Sequence, residues 1–320
     1  MVPIERTVHF LVLPGVHLLD LSGAAQVFYE ASRLGGAYRV RFVGERPEVE
    51  SAQELCLSRI EPLSPVQPED QILVAGIDSS TLETLPASIP TDWLTSAVGA
   101  GARVGTICTG AFVLGWAGLL SGRRCTTHWR LQAELSKRFP DAEVLTDRLF
   151  VRDQRLISSA GVTSGIDMAL SIVEQDHGPL VAARVAREIV VYVRRDGSSP
   201  QYSVYLDYRT HLHPGIHRVQ DWIVQNPAEN PTLEDLGRIA GMSPRNLTRS
   251  FRAATGITLK TFATRLKLEV ARNLMNDPGL NLEGIAARCG YSDARQLRRI
   301  WSRSFGESPT EWKQRTRRTQ

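Results

Sequence analysis

The chain has 320 residues, 22% of them charged and 42% hydrophobic, with a formal net charge of +4; that length suits two domains and a linker. No run approaches the roughly 18 apolar residues that span a bilayer, and Met1-Val-Pro-Ile-Glu-Arg6 leads into a strand pattern without a signal-peptide layout. Cys56, Cys108, Cys125 and Cys289 form no CxxC pair, which speaks against structural zinc and disulfides and for a reduced, cytoplasmic protein.

The first predicted element is Thr7–Leu13, a near-continuous apolar run of the kind that a strand buried on both faces requires. Helical spacing follows over 21–34, a strand over Tyr38–Val43, and a short buried strand over Gln71–Ala75 ended by Gly76. A helix over 91–100 leads to the strand Arg103–Ile107. Helices are predicted over 110–119 and 128–139, a strand pair over 149–152 and 155–159, and helices over 164–176 and 179–192. Such alternation predicts an α/β domain over 5–195, a doubly wound and mostly parallel sheet with helices on both faces.

The sharpest feature of that domain is Arg103-Val-Gly-Thr-Ile-Cys108-Thr-Gly-Ala-Phe112, a buried strand running into a cysteine, small residues and a helix. This is the layout of a nucleophile elbow. The helix end is expected to lower the thiol pKa and favour thiolate. The amide of Thr109, with one near Gly76 or Ile77, is a candidate oxyanion donor. The bland alternative is an inert core cysteine.

The stretch from Val104 to Leu120, with Thr126-Thr-His128-Trp129, resembles the ThiJ/PfpI superfamily of the class I glutamine amidotransferase-like fold. Leu13-Pro-Gly-Val16, Leu19-Asp20-Leu-Ser-Gly23 and Ser159-Ala-Gly-Val-Thr-Ser-Gly-Ile-Asp167 are in register with it. The likeness is closest to isocyanide hydratases and to GlxA-like regulators. It implies a carboxylate, here Asp20, beside Cys108, and a histidine near the thiol, here His128. Asp20 read by itself is equally a helix N-cap, and His128 a helix-start histidine bonded to backbone. A protonated Asp20 would serve as hydrogen-bond donor or general acid. Ala24 stands where the family has proline, so the helix start is expected to differ slightly. No Cys–His–Glu triad can be assembled, which makes a glutaminase an unsuitable reading.

Gly, Ser and Pro over 196–214 predict a linker. His211, His213 and His217 adjoin no cysteine or acidic cluster, so neither metal nor cofactor is expected.

Residues 215–318 predict an all-α domain with two helix-turn-helix units. In the first, Thr232 caps a helix with Asp235 three residues on, and Leu233, Leu236, Ile239 and Ala240 share a face. Gly241 turns the chain, Ser243-Pro244 opens a second helix, and Leu247 and Phe251 pack it. Leu282, Ile285, Ala286, Gly290, Leu297, Trp301 and Phe305 repeat the scheme, with 49 residues between the turn glycines. The helix 261–275 bridges the two units. Exposed positions on the presumed recognition helices are Arg245, Asn246, Thr248, Arg249 and Arg252, then Arg295, Gln296, Arg298, Arg299 and Arg303. Arginine neutralises phosphate, and Arg, Asn and Gln read base edges bidentately. Charge agrees: residues 215–320 hold 18 basic and 10 acidic side chains, while the first 214 hold 20 and 24.

Ile285-Ala-Ala-Arg-Cys-Gly290-Tyr-Ser292, Phe305-Gly-Glu-Ser-Pro309 and Trp312-Lys313 resemble the AraC/XylS family of transcription regulators. Leu297 and Trp301 replace its usual phenylalanines, a change expected to affect core packing more than DNA contact. The resemblance implies two recognition helices in successive major grooves of double-stranded DNA. The expected function is therefore sequence-specific transcription regulation, not enzymology. Control is expected from a small nitrogen-containing metabolite bound near Cys108, with homodimerisation through the first domain and RNA polymerase as a further partner. The alternatives are a Cys108-dependent hydrolase or hydratase, or a thiol redox sensor, fused to the DNA-binding module.

Overall fold

The computed structural model describes residues 6–83, 89–146, 148–191, 195, 197, 199, 201, 204–275 and 279–319, without the side chains of 205, 206 and 315–319. The chain divides into two compact units, 1–201 and 202–318.

The first unit is built on a seven-stranded sheet of order β10-β11-β7-β6-β1-β2-β5. Its strands are β1 (Arg6–Leu11), β2 (Tyr38–Gly44), β5 (Glu61–Pro62), β6 (Gln71–Val74), β7 (Arg103–Ile107), β10 (Phe150–Asp153) and β11 (Leu156–Ser159). Every neighbouring pair is parallel except β10 with β11. Alternate residues of β1 feed separate cores. Val8 and Phe10 pack with α1 (Leu18–Arg33), α5 (Thr163–His177) and α6 (Pro179–Glu188). Leu11 packs with α2 (Thr91–Gly99) and α3 (Gly110–Trp116) on the other face.

Short elements escaped the sequence reading: β3 (Glu48–Glu50) pairs with β4 (Cys56–Ser58), and β8 (Arg124–Cys125) with β9 (Glu143–Val144). The helix expected over 128–139 divides into a 3₁₀ turn, Trp129–Leu131, and α4 (Gln132–Arg138). Helix α1 starts at Leu18, ahead of Ala24, so the missing proline does not set its start. Helix α6 ends at Glu188, and Tyr192 lies outside the described residues.

In the expected linker, Gly197, Ser199 and Gln201 are bonded to the first unit. The amide of Leu149 donates to the carbonyls of Gly197 and Ser199, and Gln201 Nε2 donates to the Arg148 carbonyl at 2.8 Å. Further on, α7 (Val204–Asp207) belongs to the second unit, its Val204 amide donating to Glu269 Oε2 at 2.9 Å.

The second unit runs α8 (Pro214–Gln225), α9 (Leu233–Ala240), α10 (Pro244–Thr255), α11 (Leu259–Leu274), α12 (Leu282–Arg288), α13 (Ala294–Phe305) and α14 (Pro309–Thr319). Two cores share α11: Phe262 and Leu266 join one with Leu236, Leu247 and Phe251, and Leu268 and Ala271 join the other with Ile285, Leu297 and Trp301. Leu233, placed on the buried face by its spacing, is exposed in the first turn of α9. The repeat extends to a third helix in each half. Phe251 meets Phe262 with ring centroids 5.6 Å apart, and Trp301 meets Trp312 at the same distance.

At the amino ends of the strands, the Asp176 carboxylate receives Arg6, Tyr38 Oη at 2.6 Å and both terminal nitrogens of Arg103 at 2.8 and 2.9 Å. Its side chain is 3% exposed. Burial alone would raise its pKa, yet Arg103 and Tyr38 overcome this and hold it at about 2. Asp176→Asn should cost about 3 kcal/mol of stability or more, because two arginines lose their buried partner. Since the carboxyl is depressed in the fold, its stabilisation is present above about pH 4 and is lost as pH falls through about 2. Urea melts of both proteins across that window check this, and a gap that stayed constant would refute the assignment.

Candidate functional site

The first unit gathers its chemistry at the carboxyl ends of four adjacent strands, the usual ligand edge of an open parallel sheet. Cys108 ends β7 with φ +55°, a left-handed conformation uncommon for a side-chain-bearing residue. Asp20 lies in the first turn of α1, 1% exposed, and its Oδ1 accepts the Val162 amide at 2.6 Å. Its carboxyl also faces the Cys108 thiol. Two glycines make room. A Cβ on Gly76 would lie 2.1 Å from Asp20 Oδ2 and 2.9 Å from Cys108 Cβ, and one on Gly161 would lie 2.9 Å from Cys108 Sγ. Above them opens a cleft of about 420 Å³, bordered by His17, Gln53, Ser79, His128 and Arg130.

The thiol differs from expectation. Cys108 is 7% exposed, and burial, then the Asp20 charge, push its pKa up to about 12, although the Thr109 amide faces the sulfur and opposes the shift. Helix α3 has only seven residues, so its end contributes little. Asp20 is itself raised, chiefly by burial. Ile77 is no oxyanion donor, because its amide donates to Thr109 Oγ1 at 2.7 Å while that hydroxyl donates to the Ile77 carbonyl. The Gly76 amide faces Asp20. His128 caps the 3₁₀ turn, Nδ1 accepting the Arg130 amide at 3.4 Å, and burial followed by the nearby Arg130 charge lowers its pKa. Sequence reasoning missed Gly161, Val162, His17 and Gln53. The Ser159-Ala-Gly-Val162 segment was visible, but nothing in it showed that the chain returns over the thiol.

In the second unit, Ser243 caps α10 and Asp293 caps α13, each accepting the amide three residues on. The seven arginines Arg245, Arg249, Arg252, Arg295, Arg298, Arg299 and Arg303 are exposed along these helices, as is Thr248. Leu297 and Trp301 are fully buried beneath them. Asn246 and Gln296 make local bonds in the structure. Asn246 Oδ1 accepts Arg249 Nη2 at 3.1 Å and Ser250 Oγ at 3.4 Å. Gln296 Oε1 accepts the Ser292 amide at 2.8 Å and Ser292 Oγ at 3.1 Å. Bidentate readout would break those bonds. Thr248 Oγ1 donates to the Pro244 carbonyl. His211 and His217 lie with ring centroids 4.6 Å apart; among the described residues no three His, Cys, Asp or Glu side chains are placed to hold a metal.

Residues 236–315 match a helix-turn-helix domain, and residues 6–175, more than half of the chain, match the DJ-1/PfpI family. The chain belongs to the DJ-1/PfpI family. It is 28% identical to the HTH-type transcriptional regulator CdhR of Pseudomonas aeruginosa over 306 residues, 94% of this chain and 90% of that one. It is also 28% identical to the HTH-type transcriptional regulator GlxA of Rhizobium meliloti over 232 residues, covering 69% and 70% of the two chains. A ThiJ/PfpI family protein from Pseudomonas syringae shares the fold, with TM-score 0.55 and 19% identity over 75% of this chain and 92% of that one. With an AraC-type helix-turn-helix domain behind its DJ-1/PfpI domain, the protein is a DNA-binding transcription regulator. Among the described residues no helix is long and apolar enough to cross a membrane.

The DJ-1/PfpI cysteine gives a direct test of the charge assignment. Asp20→Asn removes the anion that helps raise the thiol, so at fixed pH the thiolate fraction rises, by up to about tenfold for each pKa unit lowered. Iodoacetamide should alkylate Cys108 faster in the variant, with exposed Cys56 as internal reference. Slower alkylation would show Asp20 acting as a protonated donor to the sulfur.

Proposed function

We propose that the protein recognises a bipartite DNA sequence through α10 and α13 and that a small nitrogen-containing metabolite in the Cys108 cleft controls this binding. The observation that carries the DNA half is the repeated aromatic clasp, which buries one face of each recognition helix and leaves its arginines in solvent. The ligand half is supported by the cleft itself, which brings Asp20 and Cys108 together with His17, Gln53, His128 and Arg130. Homodimerisation through the first unit belongs to the same reading, with sedimentation as its readout. Domain limits of 5–195 and 215–318 remain part of the proposal.

Arg295→Ala and Arg298→Ala should each weaken binding of the full chain to a selected duplex, by about tenfold where a base is read. Where the arginine contacts phosphate, the slope of log affinity against log salt should fall by about one. If both variants bound with wild-type affinity and salt slope in gel shifts, α13 would not be a recognition helix.

A second reading is favoured by the left-handed backbone at Cys108 and the Thr109 amide facing its sulfur. These are parts of a nucleophile site, which points to a hydrolase or hydratase acting on amides, nitriles or isocyanides. The raised thiol weighs against both this and redox sensing, because thiolate is the reactive form. Turnover of such substrates by the wild type, abolished in Cys108→Ser, would establish it. Absence of turnover by folded wild type would remove it.

A further inference from the structure

Lys267 lies in α11, the helix shared by the two halves of the second unit, and is only 7% exposed. Its Nζ donates to the Glu229 carbonyl at 3.0 Å and to Asn230 Oδ1 at 2.8 Å. Both acceptors belong to the loop between α8 and α9, at the entrance to the first helix-turn-helix. Asn230 Nδ2 in turn donates to the Gly290 carbonyl at 2.8 Å, in the turn of the second. The Tyr291 ring lies beside the ammonium, 5.8 Å from centroid to Nζ. Gly290 has φ +68°, and a Cβ there would lie 2.3 Å from the Ala228 carbonyl oxygen and 2.7 Å from Lys267 Nζ. No side chain fits that junction, so the loop and the turn meet backbone to backbone.

We propose that Lys267, with Asn230, is a positioning residue that fixes the spacing and phase between the two recognition helices, and so the separation of half-sites that the protein accepts. Each recognition helix is held within its own half by its aromatic clasp, which orients it only locally. Relative orientation must come from contacts that join the halves. Helix α9 begins three residues after Asn230, and α13 follows the Gly290 turn. The Lys267–Asn230–Gly290 chain therefore ties the entrance of one reading unit to the turn of the other. A buried ammonium keeps this arrangement because leaving it unpaired would be costly, whereas an apolar replacement would let the halves shift. A lysine that only stabilised the core would give a different result: its loss would weaken every DNA complex alike.

The inference rests on the DNA-binding reading, and the test separates the two. Full-length protein would first select a bound duplex from a random-sequence library. Gel shifts would then compare wild type, Lys267→Met, Lys267→Arg and Asn230→Ala on that duplex and on derivatives with base pairs inserted between the two contacted major-groove segments. Wild type should lose at least about tenfold on insertion of about 5 base pairs, half a helical turn. Lys267→Met should bind the parent duplex at least about tenfold more weakly and show less than about threefold preference among spacings. Lys267→Arg, which keeps charge and donors, should retain wild-type spacing preference. Wild-type spacing preference in Lys267→Met, or equal loss at every spacing, would overturn the proposal. If Lys267→Met did not fold, exposed Asn230→Ala would decide by the same two criteria. Failure of wild-type protein to select any duplex would instead defeat the DNA-binding reading.

Discussion

Each recognition helix is fixed by one ring in its last turns, Phe251 against Phe262 in the first half and Trp301 against Trp312 in the second. The basic faces depend on that contact. A twelve-residue helix with six or more polar and charged positions buries too little by itself to hold one orientation in water. Anchored through Leu247 and Phe251, or Leu297 and Trp301, it directs the remaining positions outward. The two clasps use rings of different size, so the halves follow the same plan without identical cores. Glycines at both ends, Gly241 and Gly256, Gly290 and Gly306, take positive φ where the chain must turn. From Gly241 the next cap is Ser243, but from Gly290 it is Asp293, so the second turn is one residue longer. That added residue follows Tyr291, the ring beside Lys267.

In the first unit the constraint is crowding at the carboxyl edge of the sheet. Cys108 takes a left-handed backbone, and the chain on either side must come close enough to enclose it. Gly76 and Gly161 permit this, since a methyl group at either position would overlap the cysteine. The opposite edge is secured differently, by the Asp176 carboxylate joining residues that open β1, β2 and β7. One edge of the sheet is therefore tied by ion pairs and the other is left open around a cleft.

The larger elements were legible because their periodicities are strong. The α/β alternation, the elbow at Cys108 and both helix-turn-helix units follow from buried runs, caps and turn glycines. The missing pieces have physical reasons. Strands of two or three residues, such as Arg124–Cys125, carry no measurable alternation. Helix α14 was obscured by its polarity, although Trp312 lies as far from Phe262 as Trp301 does from Phe251, a spacing the sequence does show. Burial around Cys108 depends on segments that are distant in sequence, so the sign of its pKa shift was not readable from the helix that follows it. Asn246 and Gln296 also make local bonds that the sequence did not show. Amide side chains near a helix start are taken up by local capping and intrahelical bonds as readily as by bases.

These details bear on what kind of site the DJ-1/PfpI domain presents. A nucleophile at work needs its charged form near neutral pH, and the surroundings of Cys108 disfavour that form through burial and a neighbouring acid. The same surroundings suit recognition. The floor holds the Asp20 carboxyl beside the Cys108 thiol, while His17, Gln53 and Arg130 stand at the rim with polar groups of their own. The left-handed backbone at Cys108 and the polar rim keep the layout of a nucleophile elbow at the base of a cleft. In the same chain a helix-turn-helix domain exposes seven arginines along α10 and α13.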